Sequence, residues 1–204
     1  LLPAAGLIFL VTAVTRAQIG VRYVLPVIPL LCLAGAACLP GRGIVGGAGR
    51  AGRAVRGIVA ALLLWHAVSA VRIHPYHLAY FNEAAGGPDG GRLHLSDSNV
   101  DWGQDLTGVA EFVRDQGLSS INLYYFGTAD PEYYGIRRQV PPAPGYFAVS
   151  ATHLAGIYAP DRDMLAAFRE LAPERSFGHS ILLYHLDHVP DSLRPHPKEP
   201  THPP

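Results

Sequence analysis

The densest set of side chains able to do chemistry is the run Asp97-Ser98-Asn99-Val100-Asp101-Trp102-Gly103-Gln104-Asp105, with three carboxylates, two amides and an indole. Its first five residues copy the D-x-N-x-D opening of a calcium loop. Trp102 then stands where that loop needs glycine, and Gly108 where it needs a bidentate glutamate, which argues against calcium. A structural role accounts for part of the run: Asp101 as a helix N-cap, Gln104 completing a capping box three residues on, and Trp102 packing beneath. That role leaves Asp97, Asn99 and Asp105 for a ligand.

Position sharpens the second reading. Residues 93–97, 121–126, 146–150 and 180–186 read as strands, and residues 102–113 and 161–171 as helices, with Gly117 as the first helix's stop. The alternation implies a small α/β layer with at least partly parallel pairing. In such a sheet Asp97 to Asn99, Thr128 with Asp130, and Ser150, Thr152 with His153 all follow strand ends on one edge, where open α/β sheets bind ligands. Those groups, with Tyr124, Tyr125 and Trp102, suit a sugar or another polar acceptor; ordinary loop residues are the competing description. Residues 131–145, with Tyr133, Tyr134 and four prolines, form a surface excursion. The proline-rich tail from Pro190 on is expected to be disordered.

What carries this layer is set by charge. All 16 acidic residues lie at or after Glu83, while the stretch before it holds seven arginines, so the net charge of zero divides into about +7 and −7. Residues 1–14, 23–40 and 57–71 are free of charge. At about 1.5 Å per residue an 18-residue helix covers ~27 Å, close to a bilayer's hydrocarbon core. The expected architecture is therefore membrane α-helical segments over residues 1–73, the first one truncated, followed by a small α/β extracytoplasmic domain over residues 74–189. Buried helices of a soluble protein normally carry acidic residues on an outer face, and a cleaved leader does not explain several apolar stretches. The glycine-rich loop 41–56 carries Arg42, Arg50, Arg53 and Arg56. A loop this basic stays in the cytosol, which sends the acidic half across.

The same alternation puts Arg16, Arg22 and Tyr23 at the outer surface. There a guanidinium suits a lipid-linked phosphate, or serves plainly as an interfacial anchor. Nucleic acid is an ill-fitting partner, because the basic loop has no aromatic to stack on bases. Cys32 and Cys38 point in different directions on one helix and make neither a disulfide nor a metal site. The spacings His74-x-x-His77 and His185-x-x-His188 are ligand-like, but no cysteine or H-E-x-x-H accompanies them. Hydrolase, NTPase and dehydrogenase fingerprints are missing from the sequence.

Several segments together resemble one family. Ile19-Gly20-Val21-Arg22-Tyr23-Val24-Leu25-Pro26-Val27-Ile28-Pro29 is similar to a late membrane segment of bacterial GT-C glycosyltransferases, relatives of the protein O-mannosyltransferases. His77-Leu78-Ala79-Tyr80-Phe81-Asn82-Glu83 and the run from Asp97 to Leu106 resemble the exported C-terminal region of that group. So do Tyr125-Phe126-Gly127-Thr128-Ala129-Asp130-Pro131, Tyr133-Tyr134-Gly135 and Ser150-Ala151-Thr152. The resemblance implies a multi-pass inner-membrane enzyme that moves a sugar from a polyprenyl-phosphate donor to an acceptor at the outer face. Membrane lipid and the lipid-linked donor are its partners, and the resemblance leaves a divalent cation in the full-length enzyme open. Such enzymes place an essential carboxylate in an early exported loop. Residues 1–82 contain none, so the catalytic part is expected upstream, in a missing N-terminal membrane portion of the same protein. On this view Arg16, Arg22 and Tyr23 meet the donor phosphate. Acceptor contacts fall to Asp97, Asn99, Asp101, Trp102, Gln104, Asp105, Thr128, Asp130 and Thr152. A non-enzymatic, membrane-anchored envelope module that binds glycan or a partner protein is the alternative.

Overall fold

The computed structural model describes residues 2–14, 25–37, 49–158 and 161–194, so Arg16, Arg22 and Tyr23 lie outside the described residues. The chain divides into two compact units, Leu1–His77 and Leu78–Pro204.

The first unit is helical, with α1 (Leu2–Val14), α2 (Val27–Ala37) and α3 (Arg50–Ile73). Helices α1 and α2 pack against each other, and Ala5 and Val27 are buried. At 13 and 11 residues both are shorter than the ~20 a span needs. The sequence-based span over residues 23–40 runs past α2 into residues outside the described set. Helix α3 is different. Among the described residues it is the one helix long and apolar enough to cross a bilayer, and only 6% of its most apolar window is buried. Its 24 residues extend about 36 Å. The third apolar stretch, read as residues 57–71, is thus longer at both ends. Arg50, Arg53 and Arg56, assigned by sequence to a loop, form its first two turns. Alanine at positions 51 and 54 and the unbranched arginine stems suit a helix, which explains the extension.

The second unit is a small α/β domain with a mixed four-stranded sheet. Its elements are α4 (Gly87–Gly91), α5 (Leu106–Asp115), β1 (Asn122–Tyr124), β2 (Gly145–Ser150), α6 (Ala151–Leu154), α7 (Ala166–Arg169), β3 (Arg175–Phe177) and β4 (Ile181–Leu186). The spatial order is β1-β2-β4-β3; β1 and β2 are parallel, while β4 runs antiparallel to both β2 and β3. The period-two alternation of strands divides the interior. Ala148, Ile181 and Leu183 face one cluster, with Leu106, Val109, Phe112 and Val113 of α5. Phe147, Val149, Leu182 and Tyr184 face the other, with Leu154, Leu165, Phe168 and Leu193. The sheet is therefore covered on both sides, and β4 reads as an unbroken apolar run for that reason.

Local chemistry sets the element ends. Helix α5 stops where Gly117 turns left-handed (φ 62°). Leu118 N–H then reaches Val113 O (2.9 Å) and Gly117 N–H reaches Arg114 O (3.1 Å), a Schellman ending. Strands β3 and β4 join through Gly178 and His179, both at positive φ, and His179 Nδ1 pairs with Asp89 Oδ1 of α4 at 2.6 Å.

Four expectations change. Residues 93–97 form a turn and the start of a 3-10 helix over Asp97–Asn99, and Leu93 stays exposed. The 161–171 helix contracts to α7, four residues long. The 131–145 excursion is not a loose flap: Ile136 is fully buried, and Ile121 N–H and C=O pair with Arg137 O and Gln139 N–H. Asn122 fastens it, donating to Ala143 O and Tyr146 O (both 2.9 Å) and accepting from Ala143 N–H (3.0 Å). The tail remains packed through a 3-10 turn over Asp191–Leu193, whose Leu193 enters the second cluster. Residues 195–204 lie outside the described ones.

Candidate functional site

The loop 97–105 lies against the C-terminal ends of the parallel pair β1 and β2, and a carboxylate fixes it there. Asp101 is fully buried. Its Oδ1 accepts from Gly103 N–H at 2.9 Å and its Oδ2 from Thr152 N–H at 3.5 Å, just beyond β2. The Ser150 Oγ accepts from Phe126 N–H (3.2 Å) and His153 N–H (3.5 Å). Its proton is left to face Asp101. Burial pushes the Asp101 carboxyl up to about 6, against the lowering effect of Gly103, Thr152 and Ser150. The Thr152 hydroxyl is close enough to lower it too, yet among the described residues this fully buried Oγ1 meets no partner at hydrogen-bonding geometry.

Asp105 forms a second buried anchor. Its Oδ2 accepts from Ser180 Oγ (2.6 Å) and Gln104 Nε2 (3.0 Å). Burial raises its pKa, while those donors and His179 lower it. Between the two anchors Gly103 sits at φ 77°, and Tyr125 donates to its carbonyl (3.0 Å). A Cβ at Gly103 would run into the Tyr125 phenol, so only glycine fits this crossing.

These facts revise the capping reading. Helix α5 starts at Leu106, and its N-cap, Asp105, makes no side-chain capping bond. Asp101 is turned to the end of β2 and the first turn of α6 instead of the N-terminus of α5. Gln104 Oε1 accepts from Trp102 N–H (2.7 Å), and its amide donates to Val100 O (3.0 Å). Trp102 is 56% exposed and does not pack beneath a helix. Tertiary partners at the strand ends have taken the groups that a local cap would use.

The run thus divides into an inward and an outward set. Asp101 and Asp105 of the run, and Thr152 beyond it, are buried. Asp97, Asn99, Trp102 and Gln104 retain access in varying degree. Asn99 Nδ2 donates to Ser96 O (3.1 Å). Thr128 is exposed on the bend after Phe126. Asp130 caps the 3-10 helix Pro131–Tyr134 through Glu132 N–H (3.0 Å). It lines a separate open pocket of about 860 Å³ with Glu132, Arg137 and Arg138. Among the described residues, no hydrogen bond joins Thr128 or Asp130 to the Asp97–Asp105 loop.

Sequence reasoning missed Phe126 and Tyr158, whose rings stack at 5.6 Å with planes 5° apart. Tyr158 lies in a segment without periodicity, and only Gly156 and Pro160 hinted at a turn there. Among the described residues, no group of three or more metal-ligating side chains converges. No family model, curated protein or solved structure matches this chain.

Proposed function

We propose that the chain is the C-terminal portion of a multi-pass inner-membrane glycosyltransferase of the GT-C type, its α/β unit outside the cytosol. The whole enzyme transfers a sugar from a polyprenyl-phosphate donor. Residues 1–194 supply donor and acceptor contacts, and the essential carboxylate comes from elsewhere in the enzyme. The observation that carries this reading is α3: a 24-residue helix with bare apolar sides, basic at its first turns and free of acid, leading to a unit that holds every acidic residue. An apolar surface of that extent supports insertion into hydrocarbon. The likeness to the family rests on several segments together, of which Asp97 to Leu106 is the most specific.

Arg16, Arg22 and Tyr23 are the donor-phosphate residues in this proposal. The access that Asp97, Asn99, Trp102 and Gln104 retain supports a binding task for the exported unit, with no chemical step assigned to it. It equally favours the second reading, an envelope module that binds glycan without transferring it.

The test is binding of a polyprenyl-phosphate sugar to the chain in lipid nanodiscs. Saturable binding that weakens at least about tenfold in Arg22→Ala, or ~1.4 kcal/mol, is the expected result. Binding no stronger than to nanodiscs of anionic phospholipid alone would overturn the donor assignment. Transfer catalysed by the chain alone would refute the assignment of the carboxylate to another part of the enzyme.

A further inference from the structure

Two side chains of the α/β unit hold a backbone conformation that L-residues avoid, and they meet. Tyr158 sits at φ 62° and Asp97 at φ 56°, and the Tyr158 hydroxyl donates to Asp97 Oδ2 at 3.5 Å. Aspartate visits this region occasionally, but a bulky aromatic seldom does. Strain of this kind persists only where surrounding structure enforces it, and it concentrates at binding sites.

Core packing does not explain Tyr158, which is 68% exposed. Its inner face lies flat on Phe126. Phe126 is fixed from behind, edge-on to the His153 ring at 6.0 Å and 87°, with its N–H on Ser150 Oγ. His153 Nε2 in turn lies 3.2 Å from Tyr125 O. Burial lowers the His153 pKa, so the ring is neutral near pH 7. The result is a two-ring slab with one face open to water and a carboxylate at its edge. A pyranose has the complementary chemistry: one face of C–H groups that lies on an aromatic ring, and a rim of hydroxyls that donate to a carboxylate.

We infer that Tyr158, backed by Phe126 and edged by Asp97, is a docking platform for a neutral hexose unit of the acceptor glycan. This deepens the glycosyltransferase reading and rests on it for the word acceptor, while the recognition itself stands on the slab. Free sugar and lipid-linked donor then act at different places, one on the α/β unit and one at the arginines of the helical unit.

The experiment uses the whole chain in a sugar-free detergent, because maltoside headgroups would compete. Mannotriose, maltotriose and galactotriose are each titrated while saturation-transfer NMR reads contact with the protein. At least one should bind saturably with a Kd of about 1 mM. Tyr158→Phe keeps the ring and should stay within about threefold, whereas Asp97→Asn should weaken binding several-fold. Tyr158→Gly relieves the positive φ, so its thermal midpoint should not fall, while its affinity drops by at least about tenfold. Saturable binding by none of the three sugars at about 20 mM overturns the platform, as does equal affinity of wild type and Tyr158→Gly. Polyprenyl-phosphate binding in nanodiscs is read separately. Loss of that signal with saccharide binding intact removes the donor assignment alone, and the reverse removes the platform alone.

Discussion

Replacing Asp101 by asparagine tests the buried anchor through its titration. The folded carboxyl titrates at about 6 against an ordinary 3.8. A raised carboxyl pKa means that the folded state binds the proton more tightly than the unfolded chain. Stability from this group is therefore fully present below about pH 3.8 and is lost as pH rises through about 6. At about 1.4 kcal/mol per unit, the whole shift corresponds to about 3 kcal/mol, of which about 2 kcal/mol falls between pH 4 and pH 7.5. The asparagine amide would keep an oxygen for Gly103 N–H and never ionises, so its own cost does not vary with pH. The measurement is urea unfolding of the detergent-solubilised chain, followed by near-ultraviolet circular dichroism across that range. Other carboxylates, Asp105 among them, cancel in the difference between variant and wild type. Asp101→Asn should gain about 2 kcal/mol relative to wild type on going from pH 4 to 7.5. A difference that stays flat within about 1 kcal/mol would refute the claim that burial dominates this carboxyl.

Asn122→Leu strands the Ala143 N–H and two carbonyls that the amide now satisfies, and should cost about 3 kcal/mol in the same unfolding assay. Gly103→Ala forces a left-handed alanine and a collision with the Tyr125 phenol; a loss of at least about 2 kcal/mol is expected. Leu193→Ala removes a buried side chain of the second cluster and should lower stability by about 2 kcal/mol; no change would return residues 191–193 to the tail. A cysteine at exposed Ser119 should react in intact cells with a membrane-impermeant maleimide, and protection there would reverse the proposed sidedness.

Elements with a strong period were readable from the chain. Val109, Phe112 and Val113 mark α5 at helical spacing, and the runs before Ser150 and after Ser180 are apolar enough to be strands whatever covers them. Where signal was weak, tertiary structure decided. Strand β3 is three residues with Arg175 exposed, too short and too polar to stand out from a loop. Leu93 and Leu95 imitate strand alternation, but their N–H groups turn back onto Gly90 O and Gly91 O at the end of α4. The candidate site was legible as a polar run and illegible in its orientation. Nothing local says that Asp101 bonds to Thr152, 51 positions on, or that Asp105 finds Ser180. A cap and a long-range bond ask for the same side chain, and only the folded sheet shows which one obtains it.

The apolar stretch Ile181-Leu182-Leu183-Tyr184 is buried on both faces of the sheet, and its partner Phe147-Ala148-Val149 is equally enclosed. Greasiness alone therefore cannot tell this ladder from one displaced by a single residue, since either arrangement hides oily groups above and below. What distinguishes them is polar: Ser150 stands opposite Ile181, and Ser180 beside it is tied to Asp105. A slip would carry Ser180 off that carboxylate and leave Asp105 one donor short in a dry interior. The two sealed aspartates act as locating pins, fixing which of two nearly isoenergetic alignments the strands adopt.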